Sequence, residues 1–178
     1  MIYYVMELVY IDSGYTDFLR ETDARVSFNK EESYLRPFVG VVFEVFGHKY
    51  FAPMTSHGKG KKLKSNPIKE NVTFLPINDC AHGGINFNNM IPVIDGVCRR
   101  ADLVIYGTDD EKTRKYKGLL AIQWYFISRN REKIKQKAKT IYNLRTKGYL
   151  RDSALDRTCD FLKLETVAKL YLNGKKKK

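Results

Sequence analysis

Residues 50–59, Tyr-Phe-Ala-Pro-Met-Thr-Ser-His-Gly-Lys, place two hydroxyls, Thr55 and Ser56, where an apolar stretch gives way to a lysine-rich loop. Hydroxyls and loop amides can hold phosphate oxygens, and a nearby ammonium can neutralise charge that grows on a phosphorane. Taken alone, the same residues are more often a plain polar strand end followed by a solvated lysine loop. Residues 57–69 carry Lys59, Lys61, Lys62, Lys64 and Lys69 and no acid. Of three histidines, only His57 beside Ser56 is well placed for proton transfer, since His48 falls in a turn and His82 in a glycine-rich loop; a plain solvent-exposed loop histidine is the commoner case. Tyr15 and Tyr34 stand in polar surroundings, where a phenol stacks on a base or donates to phosphate.

RNA has a reaction open to such a site without metal. Its own 2′-hydroxyl attacks the adjacent phosphorus, and the protein aligns, deprotonates, stabilises and reprotonates. The sequence has no phosphate loop, no H-E-x-x-H and no spaced carboxylates for paired magnesium ions, so metal-dependent cleavage is disfavoured and no cofactor or metal site is expected. Cys80, Cys98 and Cys159 form no C-x-x-C pair, which argues against zinc or a disulfide frame and for reduced, mostly buried thiols.

Charge points the same way. The chain carries +12, yet residues 1–110 hold 12 basic against 14 acidic side chains, whereas residues 111–178 hold 20 against 6. Long-range steering and counterion release then favour a polyanion. The helical stretch 129–147, with Arg131, Lys135 and Lys139, is one candidate RNA-binding surface; His57, Lys61, Lys62 and Lys64 make the other. A charged helix face is also what any solvated amphipathic helix shows. No apolar run reaches the roughly 20 residues of a membrane span, and Glu7 interrupts the apolar start, so a cytoplasmic protein is expected. Its 178 residues suit one domain, residues 1–174, with 175–178 as a flexible basic tail.

These candidates need elements to hold them. Residues 7–12 read as a strand, followed by a helix capped at Asp12 or Ser13 and ending near Val26. Residues 38–46 and 49–54 read as a hairpin whose turn is Gly47-His48, glycine first. Strands follow at 71–77 and within 85–94, where Pro92 marks an edge, a bulge or an end. A largely buried helix is expected at 113–129, an amphipathic one at 131–147 with Ile134, Ala138, Ile141 and Leu144 inward and Gly148 as its stop, and a last one at 155–172. The fold class is α+β: mainly antiparallel sheet, then helices.

Several separated segments resemble the ToxN/AbiQ family of endoribonuclease toxins: Tyr34-Leu-Arg-Pro-Phe-Val-Gly-Val-Val-Phe-Glu-Val, Gly47-His-Lys-Tyr-Phe-Ala-Pro-Met-Thr-Ser56, Ile85-Asn-Phe-Asn-Asn-Met-Ile-Pro-Val93, and residues 116–144 as paired helices. The likeness spans about residues 7–150 and implies a strongly twisted sheet, or partial barrel, similar to MazF and CcdB. It implies a sequence-specific, metal-independent endoribonuclease leaving 2′,3′-cyclic phosphate and 5′-hydroxyl ends. The implied partner is a pseudoknotted repeat antitoxin RNA, which the toxin processes and which blocks it in a closed ring until phage infection frees it. Matched by position, Thr55 and Ser56 are the family's pair at the scissile phosphate, and Tyr15 and Tyr34 its tyrosines. Arg36 stands where the family often has lysine, and it suits charge stabilisation better than proton transfer. His57-Gly58 alters the following loop, leaving Lys59 as first choice for the site lysine and Lys61 as second. A non-catalytic basic RNA-binding protein is the alternative; peripheral membrane attachment lacks an exposed apolar face or lipidation signal.

Overall fold

The structure is a computed structural model that describes residues 6–28, 35–55, 69–79 and 81–175, with side chains through Tyr171. β1 (Glu7–Ile11) runs into α1 (Ser13–Thr22), whose cap is Asp12: its carboxylate accepts the Tyr15 amide and satisfies one donor of the first turn. β2 (Pro37–Val45) and β3 (His48–Thr55) form the hairpin, rich in Val and Phe that pack well on a pleated surface. Its turn is Phe46-Gly47, not Gly47-His48. Both residues have positive φ (48° and 77°), and Val45 pairs with His48, so the two-residue loop lies one position earlier than the glycine-first reading placed it.

β4 (Phe74–Pro76), β5 (Gly84–Asn86), β6 (Ile91–Val93) and β7 (Cys98–Arg100) complete an antiparallel sheet of order β4-β5-β3-β2-β1-β7, with β6 also on β3. β3 is the hub. One edge pairs β2, while the other pairs β6 along Lys49, Tyr50 and Phe51 and then β5 at Met54 and Thr55. Among the described residues β4 and β7 end the sheet, which is not closed into a barrel. Pro92 fits its expected edge position, since β6 pairs only β3 there.

α2 (Glu111–Arg129) and α3 (Arg131–Thr146) follow, then α4 (Asp152–Arg157) and α5 (Phe161–Lys175). α3 buries Ile134, Ala138, Ile141 and Tyr142 against the sheet side, and each buried Ile is worth roughly 2 kcal/mol. Gly148 stops this stretch with φ 72°. Three expectations are corrected. α2 is not largely buried: it hides only Lys117, Leu120, Gln123 and Ile127. The last helix is two, broken at 158–160 because the Cys159 amide bonds Asn88 and the Asp160 amide bonds Asp23. Its second part runs on to Lys175, so the helix includes the residue taken as the start of the tail. Of the two described thiols, Cys159 is buried and Cys98 exposed.

Candidate nucleic-acid site

The start of β2 and the end of β3 meet through antiparallel register, with Phe38 opposite Pro53. Arg36, just before β2, is half-buried, and its Nη1 donates to the Met54 carbonyl at 3.0 Å. That carbonyl belongs to the peptide joining Met54 to Thr55, so the guanidinium lies directly against the backbone that carries the threonine. Burial lowers the Arg36 pKa from its usual value, and an arginine so shifted still holds its proton at neutral pH. Thr55 is half-exposed at the strand end and pairs with Gly84 of β5. A Cβ on Gly84 would meet the Phe74 ring at 2.2 Å and the Leu75 carbonyl at 2.8 Å, so only glycine lets β4 and β5 close so tightly behind Thr55.

The loop before β5 is pinned from the helical side. Gln123 of α2 donates Nε2 to the His82 carbonyl at 2.8 Å, and the His82 ring nitrogen Nδ1 bonds the Asn78 amide at 3.0 Å. α3 is tied to the other side of the site. Lys133 and Lys137 pair with Glu70 at 2.7 and 3.1 Å, and Lys137 also donates to the Asn71 carbonyl at 2.6 Å. Glu70 directly follows Lys69, so α3 is tied to the chain next to that lysine. Arg131, Lys135 and Lys139, four residues apart, form a separate, exposed row on the same helix.

Arg36 and Thr55 are thus brought together. Tyr15, expected with them, is not: it is 0% exposed, its ring stands edge-on to Tyr171, and its hydroxyl donates to the Pro92 carbonyl at 2.7 Å. Pro92 lies opposite Tyr50, five residues and about 16 Å of strand from Thr55. Desolvation, then the neighbouring Tyr171, raises the Tyr15 pKa, so its phenol stays protonated. Tyr34, Ser56, His57, Lys59, Lys61, Lys62 and Lys64 lie outside the described residues. Among the described residues no group of three His, Cys, Asp or Glu side chains could hold a metal ion, and no helix is long and apolar enough to cross a membrane.

Sequence reasoning missed two features. Lys117 is buried in α2, donating to Asp102 (2.9 Å), Asp109 (3.0 Å) and the Val104 carbonyl (2.7 Å), which fixes the loop before the helix. Its spacing from Leu120 and Ile127 was the available sign. Tyr10 and Tyr116 share a hydroxyl-to-hydroxyl bond of 2.9 Å that joins β1 to α2, which nothing in the sequence announces.

Comparison with known proteins adds the rest. A family model described as toxin ToxN of type III toxin–antitoxin systems matches residues 7–169. Endoribonuclease ToxN of Bacillus thuringiensis subsp. kurstaki is 32% identical over 168 residues, covering 90% of this chain and 81% of that protein. A solved structure concerned with selective inhibition of a type III toxin by a non-coding RNA pseudoknot superposes with a TM-score of 0.73 at 31% identity, covering 93% of this chain and 97% of that one. Another, concerned with a processed non-coding RNA that regulates a bacterial antiviral system, gives 0.74 at 32%, covering 92% and 98%. This chain therefore belongs to the ToxN family of type III toxin–antitoxin toxins.

Proposed function

We propose that the chain is a sequence-specific, metal-independent endoribonuclease toxin acting in the cytoplasm as a single domain. Its chemistry is placed at the end of β3. The carrying observation is Arg36, whose guanidinium donates to the carbonyl of the Met54–Thr55 peptide, putting a cation on the backbone that carries half-exposed Thr55, in a chain of a family whose relatives are endoribonucleases. The 2′-oxygen of the substrate bonds to phosphorus and gives its proton to a base. The bond to the 5′-oxygen breaks as that oxygen takes a proton, leaving a 2′,3′-cyclic phosphate and a 5′-hydroxyl. Thr55 and Ser56 hold the phosphate oxygens, Arg36 and Lys59 balance the growing charge, and Tyr34 lines the approach. Tyr15 serves the scaffold, given its burial and its bond to Pro92.

The partner is a pseudoknotted repeat antitoxin RNA, processed by the toxin and closing it into a ring. In this reading the protein acts in abortive phage infection, and support comes from the RNA pseudoknot and antiviral system of the two solved relatives. The sheet is read as a partly closed, MazF- and CcdB-like form, supported by the way β3 shares one edge between β6 and β5. The test is incubation with a long A-rich RNA in excess chelator, beside Ser56→Ala, with end-group analysis. Discrete fragments with cyclic-phosphate ends that vanish in the variant support the reading. Salt-dependent binding without cleavage would replace it by a non-catalytic RNA-binding protein using the exposed row Arg131, Lys135 and Lys139.

A further inference from the structure

The face of α2 turned away from the sheet is apolar and aromatic. Tyr125 is 58% and Ile122 41% exposed there; Trp124, 40% exposed, sits on the flank of this face, next to the turn of buried Lys117 and Leu120, and Gln123 and Ile127 fill the opposite side. Beside them the surface is flat, since Ala121 is exposed and a Cβ at Gly118 would meet nothing. The patch ends in cations: the Arg129 guanidinium lies 5.6 Å from the Tyr125 ring and donates to its hydroxyl at 3.4 Å, and exposed Arg131 follows at the start of α3. Exposed aromatic rings with arginines at their rim suit unpaired nucleobases joined to phosphates. The charges at the rim of this face, Arg129 and Arg131, are cations, so a polyanion complements it better than a second copy of the same cationic face.

We infer that this face is a stacking platform for unpaired bases of single-stranded RNA, separate from the phosphate site and serving the same strand. The link runs through the helix. Gln123 holds the His82 carbonyl, and Gly84, two residues on, pairs with Thr55. Because Gln123 lies on the inner side of α2, a strand crossing Thr55 must also pass round the helix, roughly 10 Å across. That path fits within the roughly 4 to 16 nucleotides of single-strand sites. The inference rests on the RNA-cleaving reading only for the class of ligand.

Trp124 is the chain's single tryptophan, so its fluorescence reports from the flank of this patch. The experiment titrates the full chain with a 2′-O-methyl oligo(A) 12-mer, which lacks the attacking hydroxyl, and with the same strand in a duplex. Saturable quenching by the single strand and little by the duplex is expected. Tyr125→Ala should weaken binding about tenfold, within the range for one stacked base, while cleavage of a trinucleotide stays unchanged. Binding without quenching, equal quenching by duplex, or self-association abolished by Tyr125→Arg would overturn the platform. Intact cleavage with an unquenched Trp124 sinks the platform and leaves the nuclease; quenching without cleavage does the reverse.

Discussion

The two ends of β3 hold hydroxyls in opposite states. At one end Tyr50 is 0% exposed and donates to Glu165 Oε1 at 2.7 Å, and Tyr142 donates to the same oxygen at 2.9 Å. Desolvation first, and then the Glu165 hydrogen bond, push both phenols above their ordinary range, so neither can give up a proton in mechanism. At the other end Thr55 is half-exposed with a guanidinium behind it and a glycine opposite. A hydroxyl whose bonds are all spent inside the fold stabilises it. One half-exposed at a strand end, on a peptide that a guanidinium holds, is disposed to meet a phosphate.

The comparison can be broken by substitution at either end. Arg36→Ala should lower the single-turnover cleavage rate about 10²- to 10³-fold, the usual loss when one fixed charge-stabilising donor is removed. Glu165→Ala should do the opposite kind of damage. Two buried hydroxyls lose their acceptor, for about 3 kcal/mol of stability by urea unfolding, while the rate per folded molecule at low temperature stays within about twofold. Gly84→Ala sharpens the boundary between the ends. The added methyl must displace the Leu75 carbonyl or the Phe74 ring, costing about 1–3 kcal/mol, and because Gly84 backs Thr55 the cleavage rate should fall as well.

A smaller effect lies at Asp23, away from both ends. Burial raises its pKa, but hydrogen bonds from Arg25 and the Asp160 amide outweigh this and leave it below the ordinary value. A carboxyl depressed in the fold contributes stability fully above its unfolded pKa of about 4 and loses it as pH falls through the folded value. Asp23→Asn should therefore be less stable than the parent by about 2 kcal/mol at pH 7. The gap should narrow on acidification below about pH 4. A gap constant with pH would mean that the carboxylate's charge contributes nothing.

Much of the scaffold was legible because its signals are local. The Val- and Phe-rich runs marked the hairpin, Asp12 marked the start of α1, and Ile134, Ala138 and Ile141 marked the inner stripe of α3. What was misread depended on distant partners. The continuous apolar run of α2 looked buried, yet the sheet covers one face only. The break between α4 and α5 is set by Asn88 and Asp23, far away in the chain. β7 is short and fully exposed, without an alternating pattern, and it stays a strand through its pairing with β1. The types of the site residues could be read, but the meeting of Arg36 with the Met54–Thr55 peptide is a cross-strand fact. Tyr15 shows the converse: its polar neighbours Gly14 and Thr16 gave no sign that the helix face turns its ring inward under Tyr171.

The most direct test of placing the chemistry at the Thr55 end compares Arg36→Ala with Tyr15→Phe in single-turnover cleavage of one RNA. Removing the Tyr15 hydroxyl should cost about 1 kcal/mol of stability by leaving the Pro92 carbonyl without its donor. The account predicts a cleavage rate within about twofold of the parent for Tyr15→Phe and a fall of about 10²-fold or more for Arg36→Ala. A large loss of rate in a fully folded Tyr15→Phe, with Arg36→Ala near the parent, would contradict it.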